Sequence, residues 1–251
     1  TLMGRIVLPF RYGAYQAAML NRVRGQADLL YRDGTFYLSL TVDAPEPTPD
    51  EPTEFIGVDL GIVRIATTSD GDSFSGRTVN NVRARFTKVR AKLQSKGTKS
   101  AKRLLRKRKH RERRFQTDTN HRISKALVTQ AKDTGRGLAL EDLKHIRSRT
   151  AVRHGQRRVI HSWAFGQLRA FADYKARLAG VRVVFVDPRN TSRTCPVCGC
   201  IDKANRPSQA VFSCVSCGYR CHADLNAARI ISMRAGPPVM RPNVSPLGLV
   251  S

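Results

Sequence analysis

The chain has 251 residues, 41% of them apolar, and carries 45 Lys and Arg against 19 Asp and Glu, a net charge of +26. That length allows one large domain or two small ones. The charge excludes an ordinary soluble enzyme without a polyanionic partner and points to nucleic acid or an anionic membrane surface. No apolar run approaches the roughly 20 residues of a spanning helix and no signal peptide is visible, so no membrane partner is expected.

Residues 4–10 read as a strand. Residues 27–32 and 35–42 are apolar-rich runs separated by Asp33-Gly34, the strongest short hairpin signal. Tyr31, Phe36, Tyr37 and Leu38 favour strand over helix there. The β-rich segment 1–43 is followed by a Pro-rich linker over 44–53. The chain opens on Thr1, as a fragment of something longer would.

Residues 54–68 read as a pair of strands, with Gly57 and Gly61 keeping the backbone open around Asp59. Ser69-Asp70-Gly71 is a turn, and a third strand is expected over 72–79. Residues 83–114 hold 16 Lys or Arg in 32 positions, with Glu112 the only acid. Apolar residues recur there at helical spacing, with a break at Gly97. Like charges at i,i+4 disfavour an isolated helix, and a bound polyanion would relieve them. Lys102, Arg103, Arg106, Lys107, Arg108, Lys109 and Arg111 are the candidate nucleic-acid-binding residues.

An amphipathic helix is expected over 119–134, ended by Gly135 and Gly137. The apolar run from Leu138 to Leu143 then reads as a buried strand interrupted by Glu141. Residues 143–158 read as a basic loop with Arg147, Arg149, Arg153, Arg157 and Arg158. A helix over 159–179 carries Ile160, Ala164, Leu168, Phe171 and Ala172 on one stripe, broadened by Trp163 and Phe165. Gly180 caps it, and a β-branched strand runs from Val181 to Val186. A last short helix spans 223–234. The tail 235–251, with four prolines, reads as unstructured.

All six cysteines fall between 195 and 221. A disulfide framework would be spread along a short secreted chain, so clustering favours metal in a reducing compartment. Cys195-Pro-Val-Cys198-Gly and Cys214-Val-Ser-Cys217-Gly are two knuckles fifteen residues apart, a strong signal for a tetrahedral, structural Zn²⁺. Cys200, Cys221 and His222 are alternative ligands that this set does not need.

Three carboxylates sit inside apolar sequence. Asp59 is in Ile56-Gly57-Val58-Asp59-Leu60-Gly61. Glu141 ends Leu138-Ala139-Leu140. Asp224 opens Ala223-Asp224-Leu225-Asn226-Ala227-Ala228. A buried carboxylate is costly unless something cationic meets it. Three of them are what a two-metal phosphodiester site needs. Asp142 should point to the other side of its strand, and Asp187 reads as a turn former.

These three motifs resemble those of the TnpB family, the OrfB-type transposases of insertion sequences and relatives of type V CRISPR effectors. Asn120-His121-Arg122-Ile123-Ser124, His161-Ser162-Trp163-Ala164-Phe165 and Val186-Asp187-Pro188-Arg189-Asn190-Thr191-Ser192 agree with it, and the match runs from about 27 to 234. The resemblance implies an α/β fold: an RNase H-like (RuvC) domain over 54–190 and 223–234 with the basic helical insert 83–114. A four-Cys zinc ribbon would occupy 191–222, and a partial β-barrel (wedge) segment would precede the domain. It implies Asp59, Glu141 and Asp224 as catalytic residues binding Mg²⁺ or Mn²⁺, with Cys195, Cys198, Cys214 and Cys217 holding Zn²⁺. It implies an RNA-guided DNA endonuclease of a transposable element, with guide RNA and target DNA as partners, in bacterial or archaeal cytoplasm. A nuclease-inactive nucleic-acid-binding regulator is the alternative. A junction resolvase or RNase H enzyme fits less well, because of the zinc module and the basic segment. The family has a longer N-terminal half, and Arg229 stands where it commonly has Asn.

Overall fold

The computed structural model describes residues 4, 7–32, 34–49, 51–142 and 165–236. The expected basic loop 143–158, the helical start 159–164 with Ile160, Trp163 and Ala164, and the tail from 237 lie outside these residues. The chain divides into two units, Thr1–Glu46 and Pro47–Ser251.

In the first unit a short helix, α1 (Ala14–Ala17), and one 3-10 turn precede strands β1 (Val23–Arg32) and β2 (Thr35–Val42). They pair antiparallel, with Arg32 opposite Thr35 across the two-residue loop. Gly34 takes φ +83° there, a conformation that favours glycine. β1 starts earlier than its apolar run because the ladder continues past an irregularity between Val23 and Ala27. Gly25, at φ +67°, sits inside it. Tyr31 and Phe36 face each other across the strands, ring centroids 4.8 Å apart. The strand expected over 4–10 is absent among the described residues 4 and 7–10. An extended segment with no partner forms no ladder, and Pro9 lacks an N–H to give one.

The second unit is built on a five-stranded sheet in the order β5-β4-β3-β6-β7. Its strands are β3 (Phe55–Asp59), β4 (Arg64–Thr68), β5 (Ser73–Ser75), β6 (Gly137–Glu141) and β7 (Val183–Val186). β3–β4 and β4–β5 are antiparallel; β3–β6 and β6–β7 are parallel. The third strand is shorter than expected. Gly76 ends it and opens helix α2 (Arg77–Lys96). A side chain on Gly76 would strike the carbonyl of Ile62.

Helix α2 stops at Gly97 (φ +64°), and the Thr98 hydroxyl accepts from the Ala101 N–H to start α3 (Lys99–Asp133). The part of the basic segment after Gly97 and the helix expected over 119–134 are thus joined in one 35-residue helix, while the part before it lies in α2. Residues 115–118 change composition but hold no Gly or Pro to break it. The described part of the next helix is α4 (Phe165–Ala179), closed by Gly180 at φ +72°.

Alternation in the strands sorts side chains onto two faces. Ile56, Val58, Leu138 and Leu140 form one core with Ile123, Leu127 and Ala131 of α3 and Leu168, Ala172 and Ala176 of α4. Phe55, Ala139 and Val186 face the other way, onto Ile231 of α5 (Ala223–Ala235). Fully burying a Leu such as Leu138 or Leu168 contributes about 1.5–3 kcal/mol. Between β7 and α5 lies a small module with strands β8 (Val211–Ser213) and β9 (Arg220–His222). Among the described residues no helix is long and apolar enough to cross a membrane.

Candidate functional site

Asp59 and Glu141 end neighbouring parallel strands. Val58 pairs with Leu140, so the next residues, Asp59 and Glu141, leave the sheet side by side at its carboxyl edge. By alternation both lie on the face that α5 covers. Gly57, on the same face, has no side chain, and the α5 backbone at Ala228 and Ser232 packs directly onto it. The Ser232 hydroxyl donates to the Phe55 carbonyl at 2.6 Å and fixes the helix there. Asp224 sits one turn earlier, in the first turn of α5, where a negative charge is favoured by the helix dipole. Its N–H donates to Nδ1 of His222, which caps the helix. Gly57 is thus a close-approach position, not the open one the sequence suggested.

The electrostatics of Asp59 record the convergence. Burial first, then repulsion from Glu141 and from Asp224, push its carboxyl up to about 8, while Arg206 draws it down. Burial also raises Glu141, against the Thr191 hydroxyl at 2.5 Å and the charge of Arg234. A carboxylate that two others repel is a place where a divalent cation would offset all three charges. Arg206 and Thr191 were not singled out as site residues in the sequence. Arg206 lies in the loop between the knuckles, with no periodicity to mark it; Thr191 lies in a family-like stretch.

Other acids are accounted for elsewhere. Asp142 accepts from Arg169 of α4 at 2.5 Å, and that guanidinium lies over the Phe185 ring. Asp70 accepts both terminal nitrogens of Arg136, and Gln130 donates to Asp70 and Asp72, pinning the β4–β5 turn to α3. Asp187 accepts from the Arg189 N–H in a tight turn.

The four knuckle thiols form a second cluster. Cys195 and Cys217 sulfurs are 3.6 Å apart, Cys198 and Cys214 3.5 Å, and all four lie within 4.8 Å of one another. Ligands around a tetrahedral ion with Zn–S of about 2.3 Å stand about 3.8 Å apart, whereas a disulfide needs about 2.0 Å. The donor set therefore fits a metal. Gly199 and Gly218, at φ +74° and +73°, make two matching turns in which their N–H groups donate to the carbonyls of Cys195 and Cys214. Burial pushes the Cys195 thiol up to about 12. Although burial also opposes the Cys214 thiolate, N–H groups of Cys217 and Ser216 help bring it down to about 6. Cys200, Cys221 and His222 stay outside this cluster. Among the described residues, no other three or more Cys, His, Asp or Glu have ligand atoms so close together. The ligand atoms of Asp59, Glu141 and Asp224 do not all lie within 4.8 Å of one another, unlike the four thiols.

On α3, Lys102, Arg103, Arg106, Lys107, Lys109 and Arg111 are exposed. Arg108 is half-buried, its guanidinium 5.3 Å from the Phe86 ring centre on α2. Glu112 pairs with Arg90, tying the same two helices together.

Two family models match the chain: a probable transposase model over residues 38–147 and a Cas12f1-like TNB domain model over 165–231. The chain is 41% identical over 120 residues to a CRISPR-associated endodeoxyribonuclease Cas12f1 of Sulfoacidibacillus thermotolerans, covering 47% of this chain and 27% of that one. It is 34% identical over 153 residues to a TnpB-like protein of Methanocaldococcus jannaschii, covering 59% and 54%. A solved Cas12f1-sgRNA-target DNA complex shares the fold at a TM-score of 0.59 with 19% identity, over 82% of this chain and 55% of that one. The chain spans about half or less of the length of these curated relatives. With the transposase model on the segment that carries Asp59 and Glu141, and the TNB model on the segment that carries the thiols and Asp224, the chain is similar to TnpB-like and Cas12f proteins along most of its length.

Proposed function

We propose that the five-stranded unit is an RNase H-like domain of the RuvC type. We further propose that the chain carries the catalytic centre of an RNA-guided, metal-dependent DNA endonuclease of a transposable element. The observation that carries this reading is the convergence of Asp59, Glu141 and Asp224 from β3, β6 and α5, with Asp59 repelled by the other two. The sheet order, with an antiparallel β5-β4-β3 half and a parallel β3-β6-β7 half, supports the fold. The relatives' printed names supply the reaction class and the partners, guide RNA and target DNA.

Asp59, Glu141 and Asp224 would hold Mg²⁺ or Mn²⁺, which when bound supplies an activated water and charge stabilisation for the leaving 3′ oxygen. Glu141 is oriented by Thr191 and Asp224 by its place on α5. Arg206 offers a positive charge beside Asp59 for an incoming phosphate. Cys195, Cys198, Cys214 and Cys217 would hold a structural Zn²⁺, since four thiolates leave no open position. The exposed lysines and arginines of α3 grip phosphate backbones, while base pairing to the guide reads sequence.

The test is to sequence the RNA that co-purifies with the full-length protein and to assay DNA cleavage with that RNA and Mg²⁺. Cleavage is expected, lost in Asp59→Ala with nucleic-acid affinity retained. An Asp59→Ala protein that cuts like wild type removes the carboxylate centre. A wild-type complex that binds DNA and cuts nothing leaves the nuclease-inactive regulator.

A further inference from the structure

In the β3–β4 ladder Asp59 stands directly opposite Thr67. Opposite residues of an antiparallel pair share a face, with Cβ atoms about 4.5–5.5 Å apart. Thr67 is 1% exposed, and its hydroxyl is sealed from solvent with no hydrogen-bond partner. The next two hydroxyls on the chain are both used. Thr68 Oγ1 accepts from the Asp72 N–H, and Ser69 Oγ accepts from the Gly57 N–H. An idle buried hydroxyl is destabilising, and valine would fill the same volume without that penalty. The residue it faces across the ladder is Asp59, whose carboxylate Glu141 and Asp224 both repel.

On the reading above, we propose that Thr67 is a positioning residue for Asp59. In the cation-filled site its hydroxyl, idle in this structure, would donate to one oxygen of the Asp59 carboxylate and leave the other for the divalent cation. A carboxylate with one rotameric degree of freedom removed by such a bond is a better-ordered ligand, and partners of this kind are worth about 10–100-fold in metal affinity.

The test is Mn²⁺ binding to the zinc-loaded whole chain, read by electron paramagnetic resonance titration, for wild type, Thr67→Val, Thr67→Ser and Asp59→Ala. Thr67→Val is expected to weaken Mn²⁺ binding about tenfold or more, and Thr67→Ser to stay within about threefold of wild type. Thr67→Ala, with the same expected loss, stands in if the valine variant does not fold. Thr67→Val binding Mn²⁺ as tightly as wild type while melting at the same or a higher temperature overturns the proposal. So does an equal loss in the serine and valine variants, because packing and not the hydroxyl would then be responsible. Asp59→Ala keeping the wild-type Mn²⁺ titration would instead sink the carboxylate centre itself, a separate failure.

Discussion

Gly57 and Ala228 meet backbone to backbone: a methyl group on Gly57 would stand 2.0 Å from the Ala228 carbonyl oxygen and 2.4 Å from the Ser232 nitrogen. No flexible side chain can yield there, so any residue but glycine must lift α5 from the sheet. Lifting α5 carries Asp224 away from Asp59, which lies two residues after Gly57 on the same face. The absence of one Cβ therefore sets the distance between two of the three carboxylates.

Gly57→Ala is accordingly expected to cost about 1–3 kcal/mol or more and to lower cleavage far more than that stability loss explains. Thermal melting beside a cleavage assay checks this. Gly71→Ala is the control: its φ of +102° strains the turn, but a Cβ there meets nothing and lies away from α5.

The second expectation concerns pH. Asp59 holds its proton up to about pH 8 when folded, against an ordinary value of 3.8. Between about pH 4 and 8 the folded protein therefore binds more protons at this site than the unfolded chain, and stability falls as pH rises through that window. Glu141 is shifted in the same direction. His121, lowered by burial and by Lys175, acts oppositely below its ordinary value, so the difference between variants is the measure. In zinc-saturated, magnesium-free buffer, Asp59→Asn should flatten the slope. At pH 8 it should melt higher than wild type, by several degrees for a gain on the order of a few kcal/mol. Added Mg²⁺ should stabilise wild type at pH 8 and leave Asp59→Asn nearly unchanged.

The thiol cluster makes a sharper demand. Cys195→Ser should lower zinc content below one per chain and unfold the module, since structural zinc in small modules is worth about 10–16 kcal/mol in apparent binding. Cys200→Ser should keep one zinc. Metal content by mass spectrometry decides, and one zinc per chain in Cys195→Ser would dismiss the assigned ligands.

On α3 the charges divide by direction. Replacing Lys102, Arg103 and Arg106 together by Gln should reduce the slope of log affinity against log salt by up to about three units, near 0.9 per lost phosphate contact on duplex DNA. Arg108→Gln should leave that slope nearly unchanged. It should cost about 0.5–2 kcal/mol of stability instead, because its guanidinium lies on Phe86. Fluorescence anisotropy across a salt series separates the two outcomes.

Local sequence determined the elements whose signals are local. The Asp33-Gly34 loop, the apolar runs that end at Asp59 and Glu141, the αL stop at Gly97 and the two glycine-closed knuckles all depend on residues a few positions apart. The helix joining 99 to 133 was harder to read because composition changed along it while nothing broke it. Only the tertiary structure decided which groups meet: Gly57 under Ala228, Thr67 across from Asp59, Arg206 within electrostatic reach of Asp59, Arg108 turned onto Phe86. These are matters of strand register and of helix against sheet, and they join residues up to 171 positions apart, as Gly57 and Ala228 are. No run of neighbouring residues encodes such a distance; the burial of both faces of one sheet does.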